Sequence, residues 1–109
     1  MLVTTQDELS DYQITKTLGL VKGNTIRARH IGKDILAALR SMVGGEISEY
    51  TKMIAESREQ ALDRMIGQAQ EMGADGIVCV RYTTTAVLSG SAELFVYGTA
   101  VKLDKNSDT

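Results

Sequence analysis

The chain has 109 residues, of which 43% are hydrophobic and 24% charged, with twelve basic against fourteen acidic side chains. That composition describes one globular domain, able to bury about two-thirds of its unfolded surface, and excludes a disordered polymer. A net charge of −2 offers no basic footprint for phosphate backbones, which argues against nucleic acid as a partner. No apolar run approaches the ~20 residues that span a bilayer.

One cysteine rules out an internal disulfide and fits a reducing compartment. The start, Met1-Leu2-Val3-Thr4-Thr5, lacks the cationic and apolar regions of a signal peptide, so the expected location is the cytoplasm, away from membranes. Proline is absent, and turns therefore fall to Gly, Asn, Asp and Ser.

In chain order, Leu2–Thr5 reads as a short strand and Asp7–Asp11 as a turn. Tyr12–Val21 alternates, with Tyr12, Ile14, Leu18 and Leu20 on one side and Gln13, Thr15 and Thr17 on the other, a half-buried strand with Lys16 as its exception. Lys22-Gly23-Asn24 has turn chemistry, and Thr25–Arg29 resumes an extended path. From Asp34 the period changes: Ile35, Leu36, Leu39, Met42 and Val43 fit an amphipathic helix with an acidic start. Gly44-Gly45 stops it.

A second, longer helix is expected from Ser48 to Met72, about 37 Å at 1.5 Å per residue. Its apolar stripe is Ile47, Tyr50, Ile54, Ala61, Leu62, Met65, Ala69 and Met72. Arg58 falls near the centre of that stripe, where a charge needs a carboxylate or carbonyl partner. Gly73 reads as the residue that ends the helix, with Asp75-Gly76 completing the turn. Ile77–Tyr82, extended by Thr83–Thr85, is β-favouring; Ser89-Gly90 suggests a hairpin, and Leu94–Leu103 answers as a strand of about 33 Å. The domain is expected to occupy residues 1–103, with 104–109 a disordered polar tail.

The last strand is apolar on both faces: Leu94, Val96 and Ala100 on one, Phe95, Tyr97, Val101 and Leu103 on the other. Two helices from one small chain can cover one face, so the other face, or the sheet edges, calls for another copy.

Val43-Gly44-Gly45-Glu46-Ile47, Tyr50-Thr51, Arg58 and Ala61, Gly73-Ala74-Asp75-Gly76-Ile77-Val78 and Tyr97-Gly98-Thr99-Ala100-Val101 together resemble the signature of the YbjQ-like family, over about Val3–Leu103. This is a small bacterial and archaeal family without an established activity. Its turn before the third strand is usually Gly-Ala-Asn-Ala; here Asp75 and Gly76 stand in the last two places. The resemblance implies an α+β subunit, dodecin-subunit-like, with an antiparallel sheet and two helices packed on one face. It implies assembly as a homopentameric ring around a central axis. It also implies a heavy-metal-binding label, making a divalent metal ion the candidate cofactor.

The residues support that label weakly. Soft-metal and zinc sites want several thiolate or imidazole ligands, and the sequence has only Cys79 and His30, far apart. Cys79 in an apolar strand reads as a small buried hydrophobe, with Arg81 two residues on along the same face. His30 reads as a surface imidazole, and Met42, Met65 and Met72 as core filling. A small-ligand or interface site could instead use Gly44, Gly45, Glu46, Tyr50 and Arg58, at the N-terminus of the long helix. Arg58 there is either an orienting ion-pair partner between subunits or an anion contact. Nucleophilic catalysis would depend on the single His30, and no phosphate loop of recognised spacing occurs. The leading reading is a non-enzymatic ring-forming binding domain. The alternatives are an enzyme with an inter-subunit site around Glu46, Tyr50 and Arg58, or a structural assembly module.

Overall fold

The computed structural model describes residues 1–27, 48–88 and 91–106. Its elements are β1 (Leu2–Val3), β2 (Tyr12–Arg27), α1 (Ser48–Glu71), β3 (Gly76–Leu88) and β4 (Ser91–Lys105). They form a four-stranded sheet in the order β1-β3-β4-β2, with α1 packed on it. Two expectations change here. The sheet is mixed, because β1 runs parallel to β3 while the other pairs are antiparallel. Among the described residues one helix covers it, and the expected helix from Asp34 to Val43 lies outside them.

β2 is a single strand, where a turn at Lys22-Gly23-Asn24 was expected. Gly23 is needed for packing and makes no turn. A Cβ there would run into the carbonyl oxygen of Ala61 and come 2.7 Å from the amide nitrogen of Met65. Glycine lets the helix backbone lie against the strand. Period-two reading also slips along β2, since bulges fall between Ile14 and Lys16 and between Thr17 and Gly19. Each extra residue reverses the phase and the two together restore it, so Leu20, opposite Thr99, keeps the face of Ile14, opposite Leu103, which is the face away from the helix. Val21, Gly23 and Thr25 end up buried while Leu20 is 66% exposed.

The long helix ends as expected: Gly73 has φ +76°, and Gly73 N–H and Ala74 N–H close the last turn on Gln70 O and Ala69 O, each at 3.0 Å. Asp75 then fastens the turn to β4, its amide donating to Val101 O at 2.9 Å and its carboxylate accepting from Leu103 N–H at 3.0 Å. Leu88 lies opposite Ser91; the hairpin residues between them lie outside the described set. β4 continues to Lys105, and Asn106 donates from its backbone to Asp11 O and from its side chain to Ser10 O. Residues 104–106 thus take part in the fold, and the rest of the expected tail lies outside the described residues.

The core comprises Val21, Ala61, Met65, Ala69, Ile77, Val80, Val96 and Ala100. Thr25 Oγ1 donates to Ser57 O at 3.1 Å inside it. Because Val21, Gly23 and Thr25 lie opposite Gly98, Val96 and Leu94, these residues face the helix. Strand alternation then turns Phe95, Tyr97 and Thr99 to the other face, where Phe95 and Tyr97 pack 5.6 Å apart and stay half-buried. The chain is elongated, 58 × 25 × 16 Å, with a radius of gyration of 17.8 Å against about 13 Å for a compact domain of this size. No described helix is long and apolar enough to cross a membrane.

Candidate functional site

The face that α1 buries is Ser57, Ala61, Met65 and Ala69, one residue in four along a single row. This corrects the place of Arg58, which lies beside that row and is exposed. Leu62, expected in the stripe, and Ile66 flank the row half-buried. Small residues occupy the contact line because the backbones of α1 and β2 approach so closely at Gly23. The contact the structure gives Arg58 is aromatic: its guanidinium carbon lies 6.0 Å from the Tyr82 ring centroid, within cation–π reach.

Tyr82 pairs with Val96 on the helix-facing side of the sheet and is 44% exposed. Burial raises its phenol above the ordinary tyrosine value, the Glu59 carboxylate pushes the same way, and Arg58 opposes both. A charged pair and a phenol thus share the open margin between α1 and β3. Nothing in the sequence signals this grouping, because it depends on how β3 is placed relative to the helix.

The other expected site residues do not join it. Gly44, Gly45, Glu46 and His30 lie outside the described residues. Tyr50 stands in the first turn of α1, eight residues before Arg58, hence about 12 Å along the axis and about 80° around it.

Cys79 occupies a bulge in β3 between Val78 and Arg81, with φ 58°, so the simple face-sharing expected for Cys79 and Arg81 does not hold. The N-terminal segment is laced to this bulge. Cys79 N–H donates to Gln6 O (3.0 Å) and Val80 N–H to Thr4 O (3.1 Å); Arg81 Nη1 donates to Thr5 O (3.0 Å) and Val80 O (2.9 Å). The thiol is half-buried and free. Among the described residues no three His, Cys, Asp or Glu side chains gather where an ion could sit. One thiol is not a soft-metal donor set, so the described residues of this chain do not fit a heavy metal.

A mixed four-stranded sheet with one packed helix and a charged, aromatic margin defines a small α+β domain. The sequence model of the YbjQ-like family, described as "Putative heavy-metal-binding", matches residues 1–104, and the chain belongs to that family. It is 60% identical over 105 residues to a UPF0145 protein of Methanococcus vannielii, covering 96% of this chain and all of that one. A UPF0145 protein of Dehalococcoides mccartyi is 56% identical over 101 residues, covering 93% and 97%. The fold is similar to a crystal structure of a DUF74-family protein of unknown function from Pediococcus pentosaceus. That match has a TM-score of 0.63 at 19% identity and covers 95% of this chain and 98% of that one.

Proposed function

We propose that this chain is the subunit of a homo-oligomeric ring, five copies as the family resemblance implies, that binds a small ligand or metal ion between subunits. The observation that carries this reading is the sheet face that α1 leaves open among the described residues. Phe95 and Tyr97 pack together on the side away from α1, Leu20 is 66% exposed, and the elongated subunit has less core than its length demands. Burying such a face stabilises by about 25 cal/mol per Å², and a second copy is the standard way to do it. The family's heavy-metal description makes a metal ion the first ligand to test. The described donors of one subunit do not form a site, so its ligands have to include residues of neighbouring copies. Arg58, Tyr82 and Glu59 form the open margin at which another subunit would complete a polar pocket.

Light scattering on untagged protein, combined with elemental analysis of the same fraction, tests both halves. An oligomer carrying a stoichiometric metal supports the whole reading, and an oligomer without metal restricts it to an organic or anionic ligand. A stable 11.8 kDa species at micromolar concentration overturns it. Arg58→Ala separates two roles: loss of ligand protection in an intact oligomer makes Arg58 a binding residue, whereas dissociation makes it architectural.

A further inference from the structure

Two side chains of α1 reach past the core and bond the backbone of β2 directly. Lys22 N–H donates to Gln68 Oε1 at 2.7 Å, and Arg64 Nη1 donates to Asn24 O. Backbone polar groups along a strand alternate in direction, so Lys22 and Asn24 share the side that faces away from β4. The spacing lets one helix row serve them both. Four helix residues rise about 6 Å, and two strand residues rise about 6.7 Å. Met72, next in the same row, brings its terminal carbon within 3.8 Å of where a Gly19 side chain would begin.

Arg64 and Gln68 are both exposed, so core packing does not account for their arrangement, and fixing two long side chains costs conformational entropy. Other features of β2 point the same way. It carries two bulges, between Ile14 and Lys16 and between Thr17 and Gly19, and lysines at 16 and 22. Bulges, lysines and a covering helix are the means by which strands resist pairing with further chains. Asn24 is held from its other end as well, since its Nδ2 donates to Glu93 Oε2 at 3.1 Å. A 16-residue strand offers a long row of N–H and C=O groups, and these contacts fall near its middle.

We propose that Arg64 and Gln68 are edge guards. By bonding the outward groups of Asn24 and Lys22 they keep the β2 strand of a second copy from pairing there, and so prevent strand-on-strand aggregation. A hydrogen-bonded neighbour strand needs the Lys22 N–H and the Asn24 C=O, and both are already engaged by the chain's own helix. The guards act against association without defined stoichiometry, so the proposal holds for one subunit or for a ring. In any assembly it removes backbone pairing at Lys22–Asn24 from the surfaces that join copies.

The test is the double variant Arg64→Ala/Gln68→Ala, beside Arg64→Lys/Gln68→Glu, which keeps a donor over Asn24 and an acceptor over Lys22. Incubated at one concentration, the alanine pair is expected to gain light scattering and thioflavin T fluorescence over the wild type. The conservative pair is expected to stay at the wild-type level. Met65→Ala weakens the core at a fully buried position and keeps both guards, so it separates lost guarding from lost stability. Amide exchange covers an alanine pair that fails to fold. The Lys22 amide is expected to be protected in the wild type, and Gln68→Ala to speed its exchange about tenfold, the loss of one ordinary hydrogen bond. Three results each overturn the proposal: a folded alanine pair no more associated than the wild type, a Met65→Ala protein that associates as readily, or a Lys22 amide indifferent to Gln68→Ala. None of them bears on the number of copies, which light scattering on the wild type decides separately.

Discussion

Gly23→Ala tests the helix–strand approach on which the domain's packing depends. The new methyl carbon would overlap the Ala61 carbonyl and sit 2.7 Å from Met65 N, where ordinary contact begins at 3.4 Å. Both obstacles are backbone, so no rotamer change relieves them and α1 has to lift off β2. Lifting stretches the Thr25 Oγ1 bond to Ser57 O (3.1 Å) and the Lys22 N–H bond to Gln68 (2.7 Å), and it loosens Met65 and Ala61, both at most 1% exposed. Overpacking contributes about 1–3 kcal/mol of destabilisation, and two weakened hydrogen bonds add about 0.5–1.5 kcal/mol each. The unfolded-state gain from Gly→Ala returns only about 0.4–1 kcal/mol. The net expectation is a loss of about 3 kcal/mol, which lowers the melting temperature by roughly 12 °C or more for a domain of this size. Urea and thermal unfolding at one fixed protein concentration measure it. Gly67→Ala is the control, since a Cβ there meets nothing within 4 Å and alanine favours a helix interior by about 1 kcal/mol. A Gly23→Ala protein within 1 kcal/mol of wild type would refute the close approach.

Three further expectations concern single side chains. Met65→Ala empties a fully buried position and should destabilise by about 2–5 kcal/mol in the same unfolding assay; a loss under 1 kcal/mol would contradict its central place. Cys79 holds φ 58°, so Cys79→Gly should be at least as stable as wild type, while Cys79→Val should lose more than about 1 kcal/mol. Equal stability of the valine variant argues against the bulge. The Tyr82 phenol, raised by burial and Glu59, contributes stability that is intact below the ordinary tyrosine pKa of about 10 and is lost as pH rises through its raised folded value. In a carbon-13 titration of Tyr82, Arg58→Ala should move the midpoint up and Glu59→Gln should move it down; an unmoved midpoint in both would separate these three groups.

Much of the skeleton could be read from residue patterns. The span of α1, its stop at Gly73 and the existence of β3 and β4 follow from local periodicity and glycine chemistry, which need no knowledge of neighbours. The failures are all cases where a distant partner decides. Gly23 resembles a turn until Ala61 is placed against it. Leu20 resembles core until the face it shares with Ile14 proves to be the one that α1 does not cover. Arg58 appeared central because Tyr50, Ile54 and Leu62 were counted in the stripe with Ala61, Met65 and Ala69 while the polar Ser57 was not, whereas the row actually buried against β2 is Ser57, Ala61, Met65 and Ala69. The parallel pairing of β1 has no local signature in two residues, Leu2 and Val3. The candidate site was read least well, since Tyr82 meets Arg58 only through the strand order.

That strand order also governs how the protein can be made. β2 is synthesised early, yet its ladder is completed only by β4, with Tyr12 opposite Lys105 and Arg27 opposite Ala92. While the nascent chain lengthens, a 16-residue strand waits on the ribosome without its native neighbour, and contacts so remote in sequence form late and slowly. Translation-arrested chains that stop before Ser91 should therefore be cut by protease within Tyr12–Arg27, whereas chains that include β4 should resist; a protected β2 in the shorter chains would show that it finds shelter elsewhere first.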